Sequence, residues 1–273
     1  MSTKPVILFV PGAWSSPEGY VYLCDILTKR GYPTEAVAHP SIGAEPPNKN
    51  LYDDVASLKA TLTKLADEGK EIVVVAHSYG GMVSSGAVEG VELVQRAKEG
   101  KHGGVIMLIY MTAFVIPKGN SLLDMIDGKY LWWMWRKLLF FSVALQEILT
   151  IPSSEQDNYC YSSHEDKALF HDLTPLEQER WTKDLQHISA AVFEVPATYE
   201  PWHTLPTSFI ICEEDQAILL PVQEAMVQAL GPQTPVRKLK CSHSPMFVRP
   251  EETVDVLVDL VDIAVEKKGI LEA

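Results

Sequence analysis

Val73-Val74-Val75-Ala76-His77-Ser78-Tyr79-Gly80-Gly81 is a β-branched run that ends abruptly in a serine and two glycines. Consecutive valines suit a buried strand. The glycines cannot extend it, but they allow a tight turn and a closely packed helix. The stretch therefore predicts strand, sharp turn and helix start, with Ser78 at the tip of the turn. Its small-x-Ser-x-small pattern is that of a nucleophile elbow, with Ala76 where a first glycine is usual. Such a turn exposes the serine hydroxyl and aims the first amides of the helix at the same point.

The flanking sequence has the rhythm this reading needs. Val6–Val10 is a short apolar run closed by Pro11-Gly12. Pro17 to Arg30 reads as a helix ended by Gly31, Thr34–Ala38 as a strand, Pro40 to Asn50 as a loop, and Tyr52 to Glu68 as a helix ended by Gly69. Ile72–Ala76 is the strand before Ser78, a helix follows over about Tyr79 to Glu99, and Gly104–Tyr110 is another continuous apolar strand. Strands apolar on both faces and alternating with helices indicate a parallel sheet covered on both sides. The alternation stops at Pro117 and resumes after Pro196 with strand Thr207–Cys212, helix Pro221–Leu230, strand Val236–Lys240 and helix Pro250–Lys267. The expected organisation is one domain, with a core of residues 1–115 and 196–273 and a helical lid inserted at about 116–195. The lid holds Leu131-Trp132-Trp133-Met134-Trp135, Arg136-Lys137 and Leu138-Leu139-Phe140-Phe141. That run is too short and too broken by charge to span a bilayer. Helices lying over the sheet edge, with aromatics on the site beneath, are the favoured reading. A membrane-surface helix or a homodimer contact through the lid are its rivals.

With 36 acidic and 23 basic residues in 273, the chain carries a net charge of −13. That disfavours nucleic acid and anionic membranes, which need a basic face. It leaves a small-molecule partner open. Cys24, Cys160, Cys212 and Cys241 are widely spaced and form no CxxC pair, so neither a zinc site nor a disulfide framework is indicated. Cys212 and Cys241 fall at strand ends and read as buried free thiols. Met1-Ser2-Thr3-Lys4-Pro5 runs straight into a strand with no signal peptide, so a cytoplasmic, reducing setting is expected.

A serine hydroxyl needs a base within hydrogen-bond reach and an acid to orient that base. In an open parallel sheet all three belong at the carboxyl ends of strands. His243 lies just past the last predicted strand, in Cys241-Ser242-His243-Ser244-Pro245-Met246, and is the best placed of the eight histidines. His77 adjoins the serine, but neighbours on a tight turn point apart, so it is read as a support of the elbow. His39 follows a strand end but precedes Ser78 in the chain, His102 falls on a surface turn, and His164, His171, His187 and His203 are read as packing or solvated residues. The acid is sought in Cys212-Glu213-Glu214-Asp215-Gln216-Ala217-Ile218. Asp215 sits deepest in that loop, whereas Glu213 and Glu214 read as solvated braces. The rival strand end, Tyr110-Met111-Thr112-Ala113-Phe114, offers no carboxylate. The order Ser78, Asp215, His243 is the one this architecture uses. Donors for the oxyanion are expected from the amide of Tyr79 and, across Pro11-Gly12-Ala13-Trp14, the amide of Ala13.

Val10-Pro11-Gly12-Ala13-Trp14, the Ser78 elbow, the Asp215 loop and Ser242-His243-Ser244-Pro245-Met246 together resemble the alpha/beta-hydrolase superfamily. The resemblance is to its compact branch of methylesterases, hydroxynitrile lyases and small bacterial and fungal hydrolases, and it covers about two thirds of the chain. It implies an alpha/beta-hydrolase fold, a doubly wound and mostly parallel sheet with an inserted lid. Two departures stand out. Pro11-Gly12 replaces the usual His-Gly, and the threonine and lysine of the lyases are Gly12 and Ser244 here, which argues against cyanohydrin cleavage. The expected activity is hydrolysis of a carboxylic ester, lactone or thioester with a mostly apolar body, without metal or cofactor. Trp14, Trp132 and Met246 are expected to line the pocket. Three other uses of the same residues stay open: non-hydrolytic C–C cleavage or cyclisation, ligand binding with a vestigial triad, and a lipase anchored through its tryptophans.

Overall fold

A computed structural model describes residues 4–136 and 158–271. Six strands form one parallel sheet: β1 (Val6–Val10), β2 (Thr34–Ala36), β3 (Glu71–His77), β4 (Gly104–Met111), β8 (Thr207–Cys212) and β9 (Val236–Leu239), in the order β2-β1-β3-β4-β8-β9. The chain runs outward from β1 to β2 on one side. It then returns to β3 and proceeds through β4, β8 and β9 on the other. This is the strand reversal at whose carboxyl end open sheets bind ligands.

The pleat explains why these strands are apolar on both sides. Leu8, Val10, Val74 and Ala76 enter one core cluster, and their neighbours Ile7, Phe9, Val73 and Val75 enter a second. Alternate side chains of a strand point to opposite faces. The first face is covered by α2 (Leu51–Asp67), through Leu58, Leu62 and Leu65, and by α3 (Gly80–Ala87). On the other face lie Leu23 and Leu27 of α1 (Val21–Lys29), and Val254, Leu257, Leu260 and Ala264 of the C-terminal helix Pro250–Leu271.

Two stretches differ from the sequence expectation. The helix expected over 79–99 is two helices, α3 and α4 (Leu93–Lys98), because Gly90 adopts a φ of 79° between them. The segment between β4 and β8 contains short helices but also an antiparallel sheet of β5 (Met134–Arg136), β6 (Tyr159–Ser162) and β7 (Ile188–Ser189). Its strands are two to four residues long, too short for a period of two to show in the sequence. Lys137 and Leu138-Leu139-Phe140-Phe141 lie outside the described residues. Among the described residues no helix is long and apolar enough to cross a membrane.

Candidate active site

β3 ends at His77, and Ser78 turns the chain with a φ of 53°. A non-glycine residue rarely takes this conformation, and the surroundings enforce it. The Ser78 carbonyl accepts from Gly81 N and from Phe114 N, each at 3.0 Å, which ties the turn to the chain leaving β4. The two following glycines are required by space. A Cβ on Gly80 would lie 2.5 Å from the carbonyl oxygen of Val10, and one on Gly81 would collide with that of Phe114. Gly12 is similarly close, since a Cβ there would meet Ser78 Cβ and His77 Nδ1 at 3.0 Å. The loop carrying Ala13 therefore runs directly against the elbow. The amides of Ala13 and Tyr79 donate to no other protein group among the described residues.

The loop after β8 places Asp215, 2% exposed, behind His243, also 2% exposed. His243 Nδ1 and Asp215 Oδ2 are 2.7 Å apart. The same oxygen accepts from Thr112 Oγ1 at 2.5 Å. The other carboxylate oxygen accepts from the amides of Ala217 (2.7 Å) and Ile218 (2.9 Å). Four donors thus converge on one buried carboxylate. Among the described residues, His243 alone of the eight histidines is hydrogen-bonded to a buried carboxylate; the pair His203–Glu200 is at the surface.

His77 takes the supporting place. Its Nε2–H donates to the carbonyl of His243 at 2.8 Å, which fastens the residue before Ser78 to His243. Burial, and secondarily the nearness of His243, holds His77 well below the usual histidine range, so it is neutral. The segment between β4 and β8 braces the neighbour of His243: Ser242 N donates to Asp172 at 2.7 Å, and Ser242 Oγ to the Leu169 carbonyl at 3.2 Å. Glu213 and Glu214 pair with Lys238 and Lys240 at the surface.

The three residues expected to line the pocket are placed differently from one another. Trp14 is buried, donates from Nε1 to the Cys160 carbonyl at 3.0 Å, and meets Phe193 and the edge of Trp133. Trp132 is 57% exposed and lies on the ring of His164, so Trp133, 2% exposed, takes the inward place expected of it. Met246 is buried in the second core cluster, on the Phe9 and Leu257 face of the sheet, and serves packing. Cys212 and Cys241 are buried and free.

Thr112 is a site residue that the sequence did not reveal. It has a φ of 39°, is fully buried, and stands at the end of β4, a stretch that holds no carboxylate. Its left-handed backbone in a β-branched residue is the unusual feature, and a lone threonine in a sequence carries no trace of that. A cavity of about 430 Å³ lined by Glu92, Leu93, Val105 and Leu205 lies at the amino ends of β4 and β8, the wrong end of the sheet for this chemistry.

Residues 7–256 match the model of the alpha/beta hydrolase family, and the chain belongs to it. It is similar to Alpha/beta hydrolase nvfD of Aspergillus novofumigatus, with 26% identity over 96% of this chain and 99% of that protein. The crystal structure of tomato Methylketone Synthase I complexed with 2-tridecanone superposes with a TM-score of 0.74 at 12% identity, covering 96% of this chain and all of that one. Polyneuridine aldehyde esterase superposes with a TM-score of 0.73 at 16% identity, covering 94% of this chain and 99% of that one. At these identities the solved structures speak for the fold alone.

Proposed function

We propose that the protein is a serine hydrolase that cleaves a carboxylic ester, lactone or thioester of a mostly apolar small molecule. The observation that carries this is the buried His243–Asp215 pair at 2.7 Å, held at the carboxyl end of the sheet and tied by a 2.8 Å hydrogen bond to His77, the residue before Ser78, whose φ is 53°. Ser78 Oγ attacks the carbonyl carbon while His243 Nε2 takes its proton. The tetrahedral oxyanion is held by the amides of Ala13 and Tyr79. His243 returns the proton to the leaving oxygen or sulfur, which leaves an acyl-serine. Water then repeats the sequence and releases the acid. Asp215 keeps the imidazole proton on Nδ1. The buried cluster of Trp14, Trp133 and Phe193 beside the Ala13 loop supports an apolar substrate body. A fungal relative named as a hydrolase and a structural neighbour named as an esterase point the same way.

A fluorophosphonate probe and a panel of chromogenic esters of graded acyl length test this. Wild type should be labelled at Ser78 and turn over at least one ester. Ser78→Ala and His243→Ala should retain the fold and lose both properties. Hydrolysis in H₂¹⁸O should leave the label in a carboxylate product, whereas cleavage of a C–C bond to a ketone without label in an acid would replace the hydrolytic reading. Undiminished turnover by Ser78→Ala would refute the mechanism.

A further inference from the structure

Beneath the elbow lies a buried polar cluster that the steps above do not use. Asp54 of α2 is fully buried, and no ion pair joins it to a cation among the described residues. Its carboxylate accepts from Ser41 N at 2.9 Å, from Ser41 Oγ at 2.6 Å and from the Tyr79 hydroxyl at 2.7 Å. Burial, with the Asp54 charge adding to it, raises the Tyr79 phenol well above its ordinary range, so it remains a donor. The edge of His39 packs on the Tyr79 ring at 5.4 Å, and its Nε2–H donates to the Pro11 carbonyl at 2.9 Å. Pro11 opens the loop to Ala13. One cluster therefore fastens both segments that present an amide to the oxyanion.

A buried carboxylate with no cation is a costly way to fill a core, since apolar side chains of the same volume would pack there without desolvating a charge. What an apolar pair cannot supply is a directional tie on the residue immediately after Ser78. Tyr79 is held at its backbone by the strained turn and at its ring tip by Asp54, so neither its χ angles nor its peptide plane is free to rock. We propose that Asp54 is a positioning residue, which acts through the Tyr79 hydroxyl to keep the Tyr79 amide aimed at the developing oxyanion. This rests on the serine-hydrolase reading above.

Tyr79→Phe removes one oxygen and keeps the ring, while Asp54→Asn keeps the shape and removes the charge. The readout is inactivation by an alkyl fluorophosphonate, whose transition state also builds negative charge on the oxygen facing these amides. Each single variant should lower the limiting inactivation rate about 10-fold and change the half-saturating concentration by less than about two-fold; deleting an oxyanion donor outright costs about 10²–10³. The double variant should be no slower than the slower single one, because both cut the same tie. Labelling of Tyr79→Phe at the wild-type rate overturns the proposal, as do single losses that multiply in the double variant. So does a lowered thermal midpoint with unchanged labelling of the folded protein, which is what a purely structural tie would give. If Asp54→Asn does not fold, Tyr79→Phe decides alone. A wild-type protein that is not labelled refutes the serine-hydrolase reading itself, whereas labelled wild type with equally labelled variants refutes only the role of Asp54.

Discussion

Asp215→Asn exchanges one oxygen for an NH₂ group and tests the whole hydrogen-bond arrangement behind His243. The amides of Ala217 and Ile218, at 2.7 and 2.9 Å, can only donate. An asparagine at 215 must therefore keep its carbonyl oxygen on their side. Its NH₂ then replaces the oxygen that lies 2.5 Å from Thr112 Oγ1 and 2.7 Å from His243 Nδ1. The Thr112 hydroxyl can rotate and accept. The imidazole can accept only by moving its proton from Nδ1 to Nε2. The nitrogen that has to take the serine proton would then already carry one. The substitution should lower kcat by about 10⁴, the loss associated with a wrong tautomer, or about 5.5 kcal/mol of barrier. Shape and volume are conserved, so the circular dichroism spectrum should be that of the wild type. The assay is the second-order rate of fluorophosphonate labelling together with ester turnover, with Ser78→Ala as the floor. Folded Asp215→Asn within about 10-fold of wild type would refute the reasoning, because the tautomer would not then depend on this carboxylate.

Thr112→Val preserves the β-branched shape and removes the hydroxyl from the buried carboxylate; it should cost about 2 kcal/mol of stability, the usual worth of a hydrogen bond to a charged group, read from urea unfolding. Trp133→Ala should destabilise by about 3–5 kcal/mol, whereas Trp132→Ala, at a site 57% exposed, should leave the unfolding midpoint nearly unchanged; equal effects would show that the inward tryptophan has been misassigned. His39 and His77 are both buried, and burial is the main cause holding them below the usual histidine range. The folded state keeps them neutral at a pH where the unfolded chain binds protons, so stability is full above about pH 6.5 and falls below it by up to about 1.4 kcal/mol per pH unit per histidine until each folded-state pKa is reached. Urea midpoints taken at about pH 7.5, 6.5 and 5.5 check the sign, and a midpoint that rises on acidification would refute it.

The proposed catalytic side chains were legible because each sits where local sequence and sheet topology agree. Ser78 is announced by three valines before it and two glycines after it, and each glycine turns out to face a backbone carbonyl that leaves no room for a Cβ. Asp215 follows the buried strand Thr207–Cys212 and His243 follows Val236–Leu239, a strand with Arg237 and Lys238 between apolar ends, and the rule that sites lie at carboxyl ends leaves few loops to search. What could not be read is direction. Neighbouring Trp132 and Trp133 are chemically identical, and the sequence does not say that Trp133, whose carbonyl accepts from Ser163 N at 2.8 Å, is the buried one. Met246 follows His243 by three residues, yet the short helix Pro245–Val248 rotates it to the opposite core.

The partners of the site were hidden for a related reason. Thr112, Tyr79, Asp54 and Ser41 are each unremarkable in sequence, and their meaning lies in contacts across 103 residues for Thr112–Asp215 and 25 for Tyr79–Asp54. Asp54 in particular reads as an ordinary polar residue near the start of an amphipathic helix, where a carboxylate is favoured by the helix dipole. Its adjacent Asp53 does fill that place, half-exposed, and caps the helix by accepting from Asn50 N at 2.9 Å. Two successive carboxylates on one turn thus have opposite fates because helical geometry turns them about 100° apart, one to water and one to the back of the elbow. A motif can locate the atoms that react, but the groups that hold those atoms still are chosen by which face of a neighbouring helix happens to look at them.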